Sequence, residues 1–385
     1  MILNERIGFE LELLAPAGSD RRTLADRIRR EQGGRVERFF HTDSEPSLVP
    51  GMGHFWHLTP GFAVRDNTGA PLATLVDDIT IAADLARDRE RDAGAKGRPS
   101  GIRRPQPDEY SYRILSDDRR LLRLVADRTS ADTPFPRVLD DAAALFGSTV
   151  ETIGAVRRLR DRTGASIAMA TSLVVGRERP CEIITPPLER DHESALETLL
   201  RPARELGFTV PVEAAVHLHF DGVPYRSVAA FSNIVRLFGH WRDALHTALD
   251  TNPACTRLNP LPPALLDLVE KQDAAGRVDD DGWGRLQLAA RSTGLSKYFD
   301  VNLTALLADE PSRDTVEVRI LPGSLNASDV TRRAALVEAL LARCRKAQPF
   351  PRPTQADPAA AAAELRALAG FHPSERIRAD AGTIA

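Results

Sequence analysis

In the stretch Ile7-Gly8-Phe9-Glu10-Leu11-Glu12-Leu13, the five residues from Phe9 alternate apolar and acidic side chains. Alternation with a period of two marks a β-strand with one covered and one polar face. Phe9, Leu11 and Leu13 then share one side, and Glu10 and Glu12 point together from the other. Carboxylates that close repel unless water or a cation screens them. The strand therefore lies on a wetted face or lines a metal site. For a single such strand the wetted face is the commoner reading, since half-buried antiparallel strands routinely show water a polar side.

The same device recurs. Glu182 sits in Cys181-Glu182-Ile183-Ile184-Thr185-Pro186, a short strand ending at proline. Val216-His217-Leu218-His219-Phe220 sets two imidazoles on one face, and Thr315-Val316-Glu317-Val318-Arg319-Ile320 does so for a carboxylate and a guanidinium. If these four strands join one sheet with their apolar sides on helices, the other face becomes a cavity of carboxylates, imidazoles and a guanidinium. Oxygen ligands with an imidazole suit magnesium or manganese, and Arg319 beside them suits phosphate.

Composition narrows the classes. A chain of 385 residues can hold a large core, and its net charge of −3 supplies no basic field for nucleic acid. Arg21, Arg22, Arg27, Arg29 and Arg30 crowd one early helix, which reads as a solvated face. Cys181, Cys255 and Cys344 lack zinc or disulfide spacing and are expected to be inert in a reducing compartment. With no apolar run of membrane-spanning length and no signal-peptide core, a cytoplasmic protein without a membrane partner is expected.

In chain order, Ser19 or Asp20 caps a helix reaching about Gln32, where Gly33 and Gly34 stop it, and Val36 to Phe40 forms a strand. Strand-like sequence follows from Trp56 to Ile81, with a turn at Asp66-Asn67-Thr68-Gly69 and with Asp77 and Asp78 at a strand edge. His41, His54 and His57 have no metal-motif spacing and read as structural or solvent-exposed. The polar stretch 87–107 reads as a mobile loop. Asp140 to Phe146 and Glu151 to Arg160 look helical, and Ser166 to Val175 reads as a buried strand. Helices are expected from Asp191 to Leu206, kinked at Pro202, and without interruption from Ser227 to Leu249. One more helix follows Pro263, another spans Asp329 to Arg345, and an alanine-rich helix lies near Ala359 to Ala369.

The segments Gly8-Phe9-Glu10-Leu11-Glu12, Glu182-Ile183-Ile184-Thr185-Pro186-Pro187, Val216-His217-Leu218-His219-Phe220-Asp221, Tyr298-Phe299-Asp300-Val301-Asn302-Leu303 and Thr315-Val316-Glu317-Val318-Arg319 together resemble the amidoligase family, distant relatives of glutamine synthetase and glutamate-cysteine ligase. The resemblance covers residues 1–350, with a poorly matching insertion at about 41–165 and a C-terminal helix and tail over 351–385. Asp117-Asp118 stands where such enzymes carry a further acidic residue. The resemblance implies an α+β fold whose curved antiparallel sheet, backed by helices, lines a metal and ATP cavity as in glutamine synthetase. It also implies ATP-dependent amide formation between a small-molecule or peptide carboxylate and an amine. Glu12 and Glu182 would hold one magnesium or manganese ion, and Glu10, His217 and Glu317 the other. His219 would lie beside the nucleotide phosphates and Arg319 would stabilise the transferred phosphoryl group. Two other readings stand beside it: a metal-dependent amide or phosphoester hydrolase using the same cluster on water, and a silent binding module of the same fold.

Overall fold

The N-terminal alternation forms strand β1 (Ile7–Ala15), and all nine of its residues are buried, both glutamates included. The computed structural model describes residues 2–46, 54–77, 111–173, 178–255, 258–274, 282–311 and 313–371. Asp78, the polar stretch 87–107 and the tail from 372 lie outside the described residues. The architecture is α+β, with antiparallel strand pairing backed by helices, and the chain divides into two compact units.

One unit comprises Glu10–Pro186 and Glu197–Ala214. Its elements are β1 from Glu10, α1 (Arg21–Glu31), β2 (Arg35–Pro46), β3 (His54–Arg65), β4 (Pro71–Val76), β5 (Tyr112–Ser116), α2 (Arg119–Arg128), α3 (Asp140–Leu145), β6 (Val150–Ile153), β7 (Val156–Arg160), β8 (Ser166–Ser172) and β9 (Arg179–Ile184). Its strands run in the order β1-β9-β4-β3-β5-β8-β7-β6, with β2 also paired to β3. In register across three of them lie Leu11, Ile183 and Leu75, each fully buried. That row faces the same way as Phe62 of β3, and α1 packs over β2, β3 and β4. Farther along the sheet, Ile114, Leu122, Val125, Leu139 and Leu159 join α2, α3 and β5 to β8 in a second apolar cluster.

The local signals explain the boundaries. Asp20 caps α1 by accepting from Thr23 N at 2.8 Å, and Gly33 at φ +61° turns the chain after Gln32. Gly34 tolerates no side chain, because a Cβ there would lie 1.8 Å from Arg65 O. In the β3–β4 turn, Asp66 Oδ1 accepts from Thr68 N at 2.8 Å and from Ala70 N at 2.9 Å, with Gly69 at φ +90°.

The helix expected over Glu151 to Arg160 is instead the β6–β7 hairpin. Val150, Thr152, Ile153 and Val156 are β-branched, and Gly154 at φ +59° opens a two-residue turn between Ile153 and Val156, the chemistry of a tight hairpin. Arg158 pairs with Glu151 directly across it at 2.6 Å. The early basic helix also departs from expectation at Arg21, which is only 8% exposed. Its Nη1 lies 2.8 Å from Asp77 Oδ1, while Arg113 Nη2 lies 2.8 Å from Oδ2. Asp77 is thus a buried clamp and not an edge residue, and the guanidiniums hold its carboxyl well below the usual range despite burial.

The other unit comprises Met1–Phe9, Pro187–Leu196 and Ala215–Ala385. It contains the first residues of β1 and of α4 (His192–Glu205), then β10 (Ala215–Asp221), α5 (Val228–His240), α6 (Arg242–Leu249), α7 (Pro263–Ala274), α8 (Gly282–Arg291), β11 (Val301–Asn302), α9 (Thr304–Leu307), β12 (Thr315–Pro322), α10 (Ala327–Cys344) and α11 (Pro358–Leu368). Three strands run β11-β12-β10. Helix α5 packs against α7 and α10, and α6 against β12 and α11. The uninterrupted helix expected from Ser227 breaks at Trp241, whose indole is buried and donates to Pro351 O at 2.7 Å. The backbone turns there to seat the ring. Helix α8 lies beyond the single helix expected after Pro263.

Cys181, Cys255 and Cys344 are free and buried, and burial pushes the Cys181 and Cys344 thiols above their ordinary range, as inert cysteines require. Among the described residues no helix is long and apolar enough to cross a membrane.

Candidate active site

Within the unit built on β1, β9 and β4, antiparallel register sets Glu12 directly opposite Glu182, and Glu10 opposite Ile184. Val76 of β4 faces Glu182 from its other side. Glu10, Glu12 and Glu182 therefore project from the face opposite to Leu11, Ile183 and Leu75. Glu12 is only 2% exposed and Glu10 only 9%. Carboxylates directly across a strand pair are destabilising, and withdrawal from water sharpens the repulsion. Such clustered carboxylate oxygens suit a hard divalent cation.

The other unit presents a second constellation. Asn302, Glu317 and His219 lie side by side on β11, β12 and β10 in one row. One residue on, the ladder shifts: His217 alone separates Val216 from Leu218, whereas Arg319 and Ile320 separate the matching Val318 and Leu321. This is a β-bulge on β12, and it accommodates an extra residue where Arg319 stands. The backbone is held there because Arg319 N donates to Asp300 O at 3.0 Å. Asp300 is itself 1% exposed and bonded by Arg242 Nε at 2.7 Å and His246 Nε2 at 3.0 Å.

Glu317 is the centre of this group. Asn302 Nδ2 donates to its Oε2 at 2.7 Å, Arg319 pairs with Oε1, and His217 Nδ1 lies 3.6 Å from Oε1. The amide of Asn302 is oriented by its other end, because Oδ1 accepts from Thr304 N at 3.0 Å and from Thr304 Oγ1 at 2.7 Å. His219 Nδ1 lies 3.3 Å from Thr315 Oγ1, and the ring's Nε2 is buried. Glu317 and His217 are 7% and 4% exposed. A carboxylate, two imidazoles and a fork-shaped guanidinium can together hold a cation and an anion.

Each unit thus gathers its own share of the residues singled out from sequence: Glu10, Glu12 and Glu182 in one, His217, His219, Glu317 and Arg319 in the other. The sequence reads Asn302 as a sheet or substrate contact rather than a catalyst, and the structure makes it the strand neighbour and hydrogen-bond donor of Glu317. Sequence reasoning missed the Asp300 clamp and the bulge. Asp118 proves to be the N-cap of α2, accepting from Arg120 N at 2.8 Å and ion-paired with the Arg120 guanidinium, which lowers its pKa. Asp221 Oδ1 similarly accepts from Val223 N at 3.0 Å at the end of β10.

No curated protein and no solved structure matches the chain. A family model does, over residues 3–341, and its description reads "Putative amidoligase enzyme". The matched span takes in β1, β9, β10, β11 and β12 with every residue of the two constellations. The chain belongs to this amidoligase family, a family of ligase-type enzymes.

Proposed function

We propose that the protein is an ATP-dependent carboxylate–amine ligase that forms an amide bond through an acyl phosphate and releases ADP and phosphate. The observation that carries the reading is the burial of Glu12 in register with Glu182, two carboxylates whose proximity favours a divalent cation. Assignment of both constellations to one reaction rests on the family resemblance of their motifs, which follow one another in family order.

The residues fit such a set of ligands. Glu12 and Glu182 would hold one magnesium or manganese ion and Glu10, His217 and Glu317 another, a donor set of carboxylate oxygens and one imidazole. Bound cations would neutralise phosphate charge and ATP would supply the phosphoryl group that makes a carboxylate a competent acyl electrophile. The chain's own residues do the rest. Asn302 and the bulged backbone at Arg319 fix Glu317 and the guanidinium before any ligand arrives, so little reorganisation remains. Arg319 presents a planar fork suited to equatorial phosphoryl oxygens, and His219 lies directly across from Glu317 on the paired strand.

The test is phosphate release from ATP with magnesium or manganese, screened against pooled carboxylates and amines, with products read by mass spectrometry. The expected product is lighter than its two reactants by one water and accumulates with ADP and phosphate in equal amounts. Cleavage of an amide or phosphoester without nucleotide would replace this reading with the hydrolase.

A further inference from the structure

On the opposite side of the acidic face, the unit containing α1 has a pocket lined by Arg21, Arg22, Arg38 and Arg179, with Asp20 and Phe62 at its wall. Register fixes the side: Arg38 pairs with Phe62, Phe62 with Leu75, and Leu75 with Ile183, the row that faces away from Glu12 and Glu182. The empty volume, open mouth included, is about 450 Å³. This pocket therefore belongs to neither constellation of the candidate active site.

Its guanidiniums come from three separate elements, α1, β2 and β9. Arg21 and Arg179 are each 8% exposed, which is unusual for arginine. Arg21 is anchored by Asp77 at 2.8 Å and by Pro60 O at 3.4 Å, so its fork is fixed. Its Nε, buried in the pocket wall, meets no acceptor among the described residues. Arg38 is braced over the Phe62 ring at 5.6 Å. The pairs Arg38–Asp132 at 3.7 Å and Arg22–Asp26 at 3.9 Å are long, and Asp20 Oδ1 is turned into the first turn of α1, accepting from Thr23 N at 2.8 Å and Thr23 Oγ1 at 2.9 Å. The helix end is thereby already capped, and an anion would depend on the arginines.

We propose that this pocket binds the phosphate group of a small molecule at a site separate from the candidate active site. Guanidiniums converging from three elements suit a tetrahedral anion, whose oxygens accept from several directions; a planar carboxylate meets one fork well and the others poorly. A buried, pre-anchored Arg21 also removes much of the ordering cost of binding.

The experiment is calorimetric titration of the full chain with inorganic phosphate in the presence of EDTA, at ionic strength held constant with chloride. EDTA withholds the cations on which phosphate binding at the candidate active site depends. Saturable binding is expected, weakened about tenfold to a hundredfold in Arg38→Gln and in Arg22→Gln and unchanged in Arg319→Gln. Phosphate should also shield Arg22 and Arg38 of the unaltered protein from phenylglyoxal, read by peptide mass spectrometry, which decides the matter even if a variant fails to fold. Tighter binding of glycerol phosphate than of inorganic phosphate would identify a phosphomonoester as the ligand, and the reverse order free phosphate. Absence of saturation, lack of shielding, or loss of binding in Arg319→Gln with Arg38→Gln unaffected would overturn the proposal. The ligase assay is independent of this titration, so either can fail alone.

Discussion

At the scale of single residues, the candidate site is a problem of charge. Glu12, 2% exposed, faces the partly buried Glu182 across β1 and β9. Glu12→Gln should lower amide formation at least ~100-fold, the upper range for losses of even indirect metal contacts, read by ADP release with magnesium or manganese. A Glu12→Gln variant with full activity would remove this residue from the metal set. Arg319 poses a different question, because it already pairs with Glu317. Arg319→Lys keeps the charge and loses the fork, and turnover should fall ~100-fold to 1,000-fold; an unchanged rate would reduce Arg319 to a structural partner of Glu317.

Asp77 shows the same chemistry turned to stability. Arg21 and Arg113 depress its pKa in the folded chain. A depressed folded pKa means the ion pairs contribute fully above the unfolded carboxyl's value, about 4, and that the contribution drains away as pH falls below it toward the folded value. Asp77→Asn should cost about 3–5 kcal/mol near neutrality, and urea midpoints of the two proteins should converge as pH is lowered below the carboxylate range. A gap that stays constant down the acid limb would mean Asp77 acts by packing.

At the scale of elements, short-range chemistry decided ends and long-range pairing decided interiors. The cap at Asp20 and the turn at Asp66 were legible because each rests on contacts within a few residues. The close approach at Gly34 was not, since the obstructing atom is Arg65 O on another strand. Gly34→Ala should destabilise by about 1–3 kcal/mol, the usual cost of overpacking, measured as a lowered midpoint of thermal unfolding. The β6–β7 hairpin was misread as a helix because Leu159 and Arg160 continue a pattern compatible with either period over so short a run. The break at Trp241 was hidden for a related reason: apolar residues on both sides keep helical spacing, and only the buried indole's bond to Pro351 O, on a distant segment, marks the place.

At the scale of the whole molecule, cation binding links function to stability. Magnesium or manganese at a hundred times its dissociation constant should stabilise the protein by about 2.7 kcal/mol per site, visible as a rise in the unfolding midpoint. The rise should vanish in the Glu12→Gln, Glu317→Gln double variant. An equal rise in that variant would place the cation elsewhere.

The sequence by itself determined the faces of the strands. Alternation with a period of two is a property of local backbone geometry, so Glu10 with Glu12, His217 with His219, and Glu317 with Arg319 could be grouped without any knowledge of neighbours. It also determined the family, since the five motifs and their order are linear information. Tertiary structure decided which side chains meet. The register that opposes Glu12 to Glu182, the bulge beside Arg319, the amide that Asn302 turns toward Glu317, and the convergence of arginines from three elements behind the sheet all join residues far apart in the chain. Their geometry is set by hydrogen-bond pairing and packing between segments, and no local pattern encodes a register that two distant strands must choose together.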